Sequence, residues 1–171
     1  MTATLGDILL VFLADRPGTA HDLQQRHAQT FGQQRAVDVT RVGATLRRLE
    51  RQGHVRDLTT AKLAIRRICT VTDAGRQRQR SWLLDVPAEM TGPEAVDRVL
   101  LAMTASDRAT FEQVAAACVA TLEARHQREA RMPRPVMSAR YALEEFEDVV
   151  TVSAITWISD LTGRCRERDA A

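Results

Sequence analysis

Between Val39 and Val55 the chain reads V-T-R-V-G-A-T-L-R-R-L-E-R-Q-G-H-V, and the side chains best suited to recognition chemistry are crowded into it. At helical spacing Arg41, Thr45 and Arg48 fall on one side, close to Thr40, while Val42, Leu46 and Leu49 fall on an adjoining apolar side. A guanidinium offers paired donors that match a phosphate or the edge of a guanine, and a threonine hydroxyl reaches either phosphate or base. The chemistry this suits is the binding of a polyanion. Lys62 and Arg66, further on, fit phosphate contacts that fix register. Arg47 and Arg51 lie partly round the helix and are assigned to surface pairing with Glu50 or Asp57. A solvated amphipathic helix would show the same two faces, so the surroundings decide.

Bond-making chemistry finds no such concentration. No Ser/His/Asp order, glycine-rich phosphate loop or H-E-x-x-H is present, and Glu144-Glu145 with Glu147-Asp148 reads as the solvated face of a helix. The chain is therefore not expected to be an enzyme or to need a cofactor. Cys69, Cys118 and Cys165 are odd in number and far apart, which argues against a disulfide framework and favours small buried apolar roles. His21, His27, His54 and His126 form no metal pair.

The 171 residues are 44% hydrophobic and 27% charged, an ordinary globular composition. No apolar run approaches bilayer length, so the expected location is cytoplasmic. The formal net charge of +2 conceals a division. Residues 1–85 hold 14 Arg and Lys against 8 Asp and Glu (14 − 8 = +6), whereas residues 86–171 hold 10 against 14 (10 − 14 = −4). A basic half joined to an acidic half predicts a polyanion-binding domain and a second domain with another task.

The elements that must position these residues follow from caps and periodicity. Leu5, Ile8, Leu9, Phe12 and Leu13 predict a first helix ending near Asp15-Arg16-Pro17-Gly18. Thr19 with Asp22 predicts a capped second helix, and Asp38 caps the third, which stops at Gly53. Val55-Arg56-Asp57-Leu58 and Ile65 to Val71 read as strands joined through Thr59-Thr60-Ala61-Lys62, after which Thr72-Asp73-Ala74-Gly75 starts a further helix. Three helices followed by a β-hairpin is the order of a winged helix, whose third helix enters the major groove.

Leu46-Arg47-Arg48-Leu49-Glu50-Arg51-Gln52-Gly53-His54-Val55, with Ile8-Leu9, Leu13-Ala14, Pro17, Asp22-Leu23, Arg66-Arg67 and Thr72-Asp73-Ala74-Gly75-Arg76, resembles the DNA-binding domain of PadR-family transcriptional regulators over roughly residues 5–85. The family's usual tyrosines are replaced by His21, Gly43 and Cys69, and Gly43 weakens its helix by about 1 kcal/mol relative to alanine. The resemblance implies a mainly α protein with two domains. Residues 1–85 form a winged helix, and residues 86–171 form a helical domain for dimerisation and possible effector binding.

In the second half, Thr91-Gly92-Pro93-Glu94 reads as a capping box. Phe111, Val114, Cys118 and Leu122 make one stripe, and Leu143, Phe146, Val150, Ser153, Trp157 and Leu161 another on a helix from about Ser138 to Thr162, widened by Val149, Val152 and Ile155. An arc that wide belongs either to the centre of a monomeric bundle or to a subunit interface. The interface reading assigns Phe111, Val114, Cys118, Phe146, Val149, Val150 and Trp157 to a homodimer. PadR relatives commonly respond to small hydrophobic or phenolic molecules, which makes Trp82 and Trp157 effector candidates beside their alternative as core residues. The function expected is a sequence-specific regulator, a repressor by family habit, that binds a two-fold double-stranded DNA operator as a homodimer. The alternative is a winged-helix module that binds another protein.

Overall fold

The computed structural model describes residues 3–59, 67–105, 107–130 and 138–170. By proximity the chain divides into two compact units. One joins Ala3–Asp85 with Leu100–Asp107, and the other joins Val86–Val99 with Arg108–Ala171.

The first unit is built on α1 (Leu5–Asp15), whose residues from Ile8 to Leu13 are all buried. The sequence pattern places only one face of this helix inward, but Leu10 and Val11 are enclosed as well. A helix apolar all round must be central, and α1 packs against α2, α3, α4 and β2. Its C-terminal carbonyls are closed by a side chain from α2 (Ala20–Phe31). Arg26 Nη1 donates to Phe12 O at 2.9 Å and Arg16 O at 3.1 Å, and Nη2 donates to Pro17 O at 3.2 Å. Phe12 O also accepts the Arg16 N–H at 3.3 Å, so Arg26 adds a second donor there and supplies one to each of the two carbonyls just past the helix.

Thr19 and Asp22 form the expected reciprocal capping box at the start of α2. A short 3-10 turn (Gln33–Arg35) leads to α3 (Val39–Arg51), where Asp38 accepts the Thr40 N–H at 2.7 Å. Gly53 lies just past α3 with φ of +75°, a conformation that disfavours other residues. β1 (Val55–Asp57) then pairs antiparallel with β2 (Cys69–Val71), with Val55 opposite Val71 and Asp57 opposite Cys69. Gly18 adds a third edge by exchanging two backbone hydrogen bonds with Cys69.

Helix α4 (Asp73–Leu84) starts where Thr72 caps the Gly75 N–H and donates its own hydroxyl to Gly53 O at 2.6 Å. A Cβ on Gly75 would lie 2.1 Å from His54 O, so only glycine lets α4 begin this close to the α3–β1 turn. The T-D-A-G sequence is thus a cap joined to a close approach. Arg78 on α4 donates two hydrogen bonds to the buried Asp7 carboxylate of α1, the shorter at 2.8 Å. The element order and wing are those of a winged helix followed by a helical region.

The second unit holds the start of α5 (Gly92–Ala105), α6 (Arg108–Ala130) and α7 (Ala139–Ala170). Thr91 and Glu94 make the expected reciprocal cap of α5. At 32 residues, α7 runs about 48 Å and extends past the end expected from sequence. Its buried face is Thr151, Ala154 and Ile158, whereas Leu143 and Phe146 are exposed. A Cβ on Gly92 would lie 3.2 Å from Ala154 Cβ and 3.1 Å from Val150 O, so α5 starts close against the buried side of α7.

Candidate nucleic-acid interface

Val42, Thr45, Leu46 and Leu49 anchor α3 in the first unit. At about 100° per residue, the direction opposite their mean is occupied by Thr40, Ala44, Arg47 and Arg51, flanked on one side by Arg41 and Arg48. All six are exposed. Arg47 and Arg51, assigned from sequence to surface pairs with Glu50 or Asp57, thus stand at the centre of the outward face. Both carboxylates are taken by another residue, Arg67, whose Nη2 lies 2.8 Å from Glu50 Oε1 and whose Nε lies 2.6 Å from Asp57 Oδ2. Arg41, Arg47, Arg48 and Arg51 form no ion pair among the described residues. Projecting the helix away from Val42, Leu46 and Leu49 is the signal that finds Arg47 and Arg51.

Thr45 does not share the exposed face. It is buried, and its hydroxyl donates to Arg41 O at 2.9 Å. At 100° per residue it lies about 70° from the centre of the Val42, Leu46 and Leu49 stripe, near enough for packing to enclose it. Arg48 is exposed, and its Nη2 is 3.4 Å from the place a Cβ on Gly6 would occupy, so the guanidinium lies beside the first turn of α1. Thr40 is exposed next to the Asp38 cap, whose carboxyl is held below its ordinary pKa by hydrogen bonds from Thr40. His21 is exposed in the first turn of α2. Lys62 and Arg66 lie outside the described residues.

Gly43 carries helical backbone, and the nearest atom to a Cβ built there is Arg47 Nη1, at 3.9 Å. Among the described residues nothing requires glycine at this point. Cys69 is buried in β2, and burial pushes its thiol above the usual range.

The residues assigned to a homodimer separate into two groups. Phe111, Val114 and Cys118 are buried in the single chain, Val114 and Cys118 fully. Burial also raises the Cys118 thiol to about 11, which makes it a small apolar residue in practice. Phe146 and Val149 are exposed by 64% and 58%, and Val150 and Trp157 are half-buried. On the same side as Phe146, Val149 and Val152, the hydroxyls of Ser153 and Thr156 donate to Val149 O and Val152 O. Those hydroxyls are turned into their own helix, while Glu145, four residues before Val149, is exposed on the same side.

Trp82 on α4 and Trp157 on α7 are both half-buried. A shallow open depression on α4 is lined by Gln77, Arg80, Ser81, Leu84 and Asp85, without Trp82. Among the described residues no cluster of His, Cys, Asp or Glu could hold a metal ion, and no helix is long and apolar enough to cross a membrane.

No protein-family model matches the sequence, and neither does any curated protein. Solved structures similar to the chain include Bacillus subtilis PadR in complex with operator DNA, at 13% identity, covering 96% of this chain and 97% of that one with a TM-score of 0.42. The same protein in complex with p-coumaric acid is similar at 13% identity, covering 94% and 97%, TM-score 0.41. A PadR-like transcriptional regulator from Bacillus cereus is similar at 15% identity, covering 95% and 94%, TM-score 0.39. With TM-scores below 0.5, the functional reading rests on the chain's own residues.

Proposed function

We propose that the chain is a double-stranded DNA-binding transcriptional regulator that reads its site with α3. The observation that carries this is the outward face of α3. Four exposed arginines lie on or beside it without an ion pair among the described residues, while the neighbouring carboxylates Glu50 and Asp57 are occupied by Arg67. Four guanidinium groups kept apart from available counter-charges suit an external polyanion. Arg47 and Arg51, at the centre, fit base edges at the groove floor or the phosphates along its rim. Arg41 and Arg48, at the flank, fit the backbone of one strand. Lys62 and Arg66 stay within the proposal as phosphate contacts of the wing.

The finer reading is a homodimer on a two-fold operator. Phe146, Val149 and Val152 are exposed apolar side chains on one side of α7, beside Glu145, and they support self-association, since an interface would remove them from water. The motif resemblance extends the proposal to repression relieved by a small aromatic effector beside Trp82 or Trp157.

Titrating the protein against duplex DNA at several salt concentrations tests the central claim. Binding should weaken steeply with salt, and Arg47→Ala/Arg51→Ala should lower the steepness of log K against log salt by about 0.9 for each phosphate no longer neutralised. No binding at low salt would refute the reading and leave a protein partner as the remaining one. Since the chain has two tryptophans, quenching of their fluorescence by a phenolic acid tests the effector.

A further inference from the structure

Arg67 holds two carboxylates at once, on two different elements. Its Nε donates to Asp57 at the end of β1, at 2.6 Å, and its Nη2 donates to Glu50 in the last turn of α3, at 2.8 Å. The other oxygen of Asp57 accepts the Thr59 N–H at 2.8 Å, the Thr59 hydroxyl accepts the Ile68 N–H at 3.1 Å, and the Leu58 N–H donates to Ile68 O at 2.8 Å. One guanidinium therefore ties the segment entering β2 to both β1 and α3. Beside it, among the described residues, the ladder holds three residue pairs, Val55 to Asp57 against Cys69 to Val71. A two-stranded ladder gains little stability of its own, so added support at its base counts. The electrostatics agree with the geometry. Hydrogen bonds from Thr59 and Arg67 hold the Asp57 carboxyl down to about 2, and the two carboxylates push the Arg67 guanidinium upward.

We propose that Arg67 is a positioning residue of the nucleic-acid interface. It fixes the base of the wing against the end of α3 and offsets carboxylate charge beside the α3 arginines, without itself contacting phosphate. The inference rests on the nucleic-acid reading for its functional half only. In the amino-acid order Arg67 stands in a basic run, where it counts as one more cation. Its bidentate use by Glu50 and Asp57, 17 and 10 residues away in sequence, is visible only in the fold.

Two measurements on the full chain test the two halves separately. In amide hydrogen exchange without DNA, Arg67→Gln should speed exchange at Thr59 and Ile68 about tenfold or more, with α1 and α2 unchanged. Unaltered protection at those two amides would overturn the tether whatever happens with DNA. On a short mixed-sequence duplex, Arg67→Gln should weaken binding about tenfold at fixed salt. Undiminished affinity overturns the role in the interface. The triple variant Glu50→Gln/Asp57→Asn/Arg67→Gln, which removes the whole charge cluster, should keep the parent's salt slope. A slope lowered by about 0.9 would instead make Arg67 a direct phosphate ligand. If the parent protein binds no duplex at the lowest salt, the nucleic-acid reading fails, the proposed role in the interface falls with it, and the exchange experiment decides the tether by itself.

Discussion

Replacing Gly75 by alanine should be among the most damaging single methyl additions this chain can suffer. A Cβ at that position meets His54 O at 2.1 Å, Val71 Cγ2 at 2.6 Å and the His54 carbonyl carbon at 3.0 Å. The first contact is more than an ångström inside ordinary van der Waals distance, and it is with backbone, so no rotamer change relieves it. Helix α4 would have to retreat from the α3–β1 turn. Retreat strains the Thr72 N–H to His54 O bond, at 3.0 Å, and the Thr72 hydroxyl bond to Gly53 O, at 2.6 Å. Overpacking costs about 1 to 3 kcal/mol, and each broken hydrogen bond adds about 1 kcal/mol. The better helix propensity of alanine returns at most about 1 kcal/mol. The net expectation is a loss of about 2 to 4 kcal/mol, or a fall of about 8 to 30 °C in the melting temperature of a unit this size. Urea or thermal unfolding followed by circular dichroism measures it. The control is the same substitution at Gly43, where the nearest atom is the movable end of Arg47 at 3.9 Å, so Gly43→Ala should raise stability by up to about 1 kcal/mol. If Gly75→Ala unfolds at the parent's denaturant midpoint, the close approach of α4 is not a constraint and the steric account of the T-D-A-G motif is wrong.

Three further outcomes follow from the same geometry. Phe146→Asp places a charge on a side chain already 64% exposed in the single chain, so folding should survive while self-association is lost; sedimentation of parent and variant as the same species would remove α7 from the interface. Asp57 titrates at about 2 in the folded chain against an ordinary 3.8, so its stabilising effect is present above about pH 4 and disappears as pH falls through about 2. Asp57→Asn should accordingly flatten the acid side of the unfolding midpoint profile, and an unchanged profile between pH 4 and 2 would contradict the Arg67 and Thr59 bonding. Arg47→Ala/Arg51→Ala should weaken duplex binding more than Arg41→Ala/Arg48→Ala, since only the first pair faces directly outward; equal losses in a salt-matched titration would show that the outward direction does not decide which arginines bind.

Element order was legible in the amino-acid order because the signals that set it are local. Caps at Thr19, Asp38, Thr72 and Thr91, the stop at Gly53 and the apolar spacing of Val42, Leu46 and Leu49 each depend on residues within one or two turns. The outward direction of α3 was legible too, had the face opposite those three residues been followed to Arg47 and Arg51. Other questions depended on partners distant in sequence. Thr45 could be placed on either side, and α7 could present Leu143 and Phe146 or Ala154 and Ile158, until packing enclosed Thr45 and the second pair. Glu50 had Arg47 and Arg51 offered to it in sequence, yet bonds to Arg67, 17 residues away. Periodicity says which residues share a face; only the surface brought against that face decides whether it is buried, paired or left open to a partner.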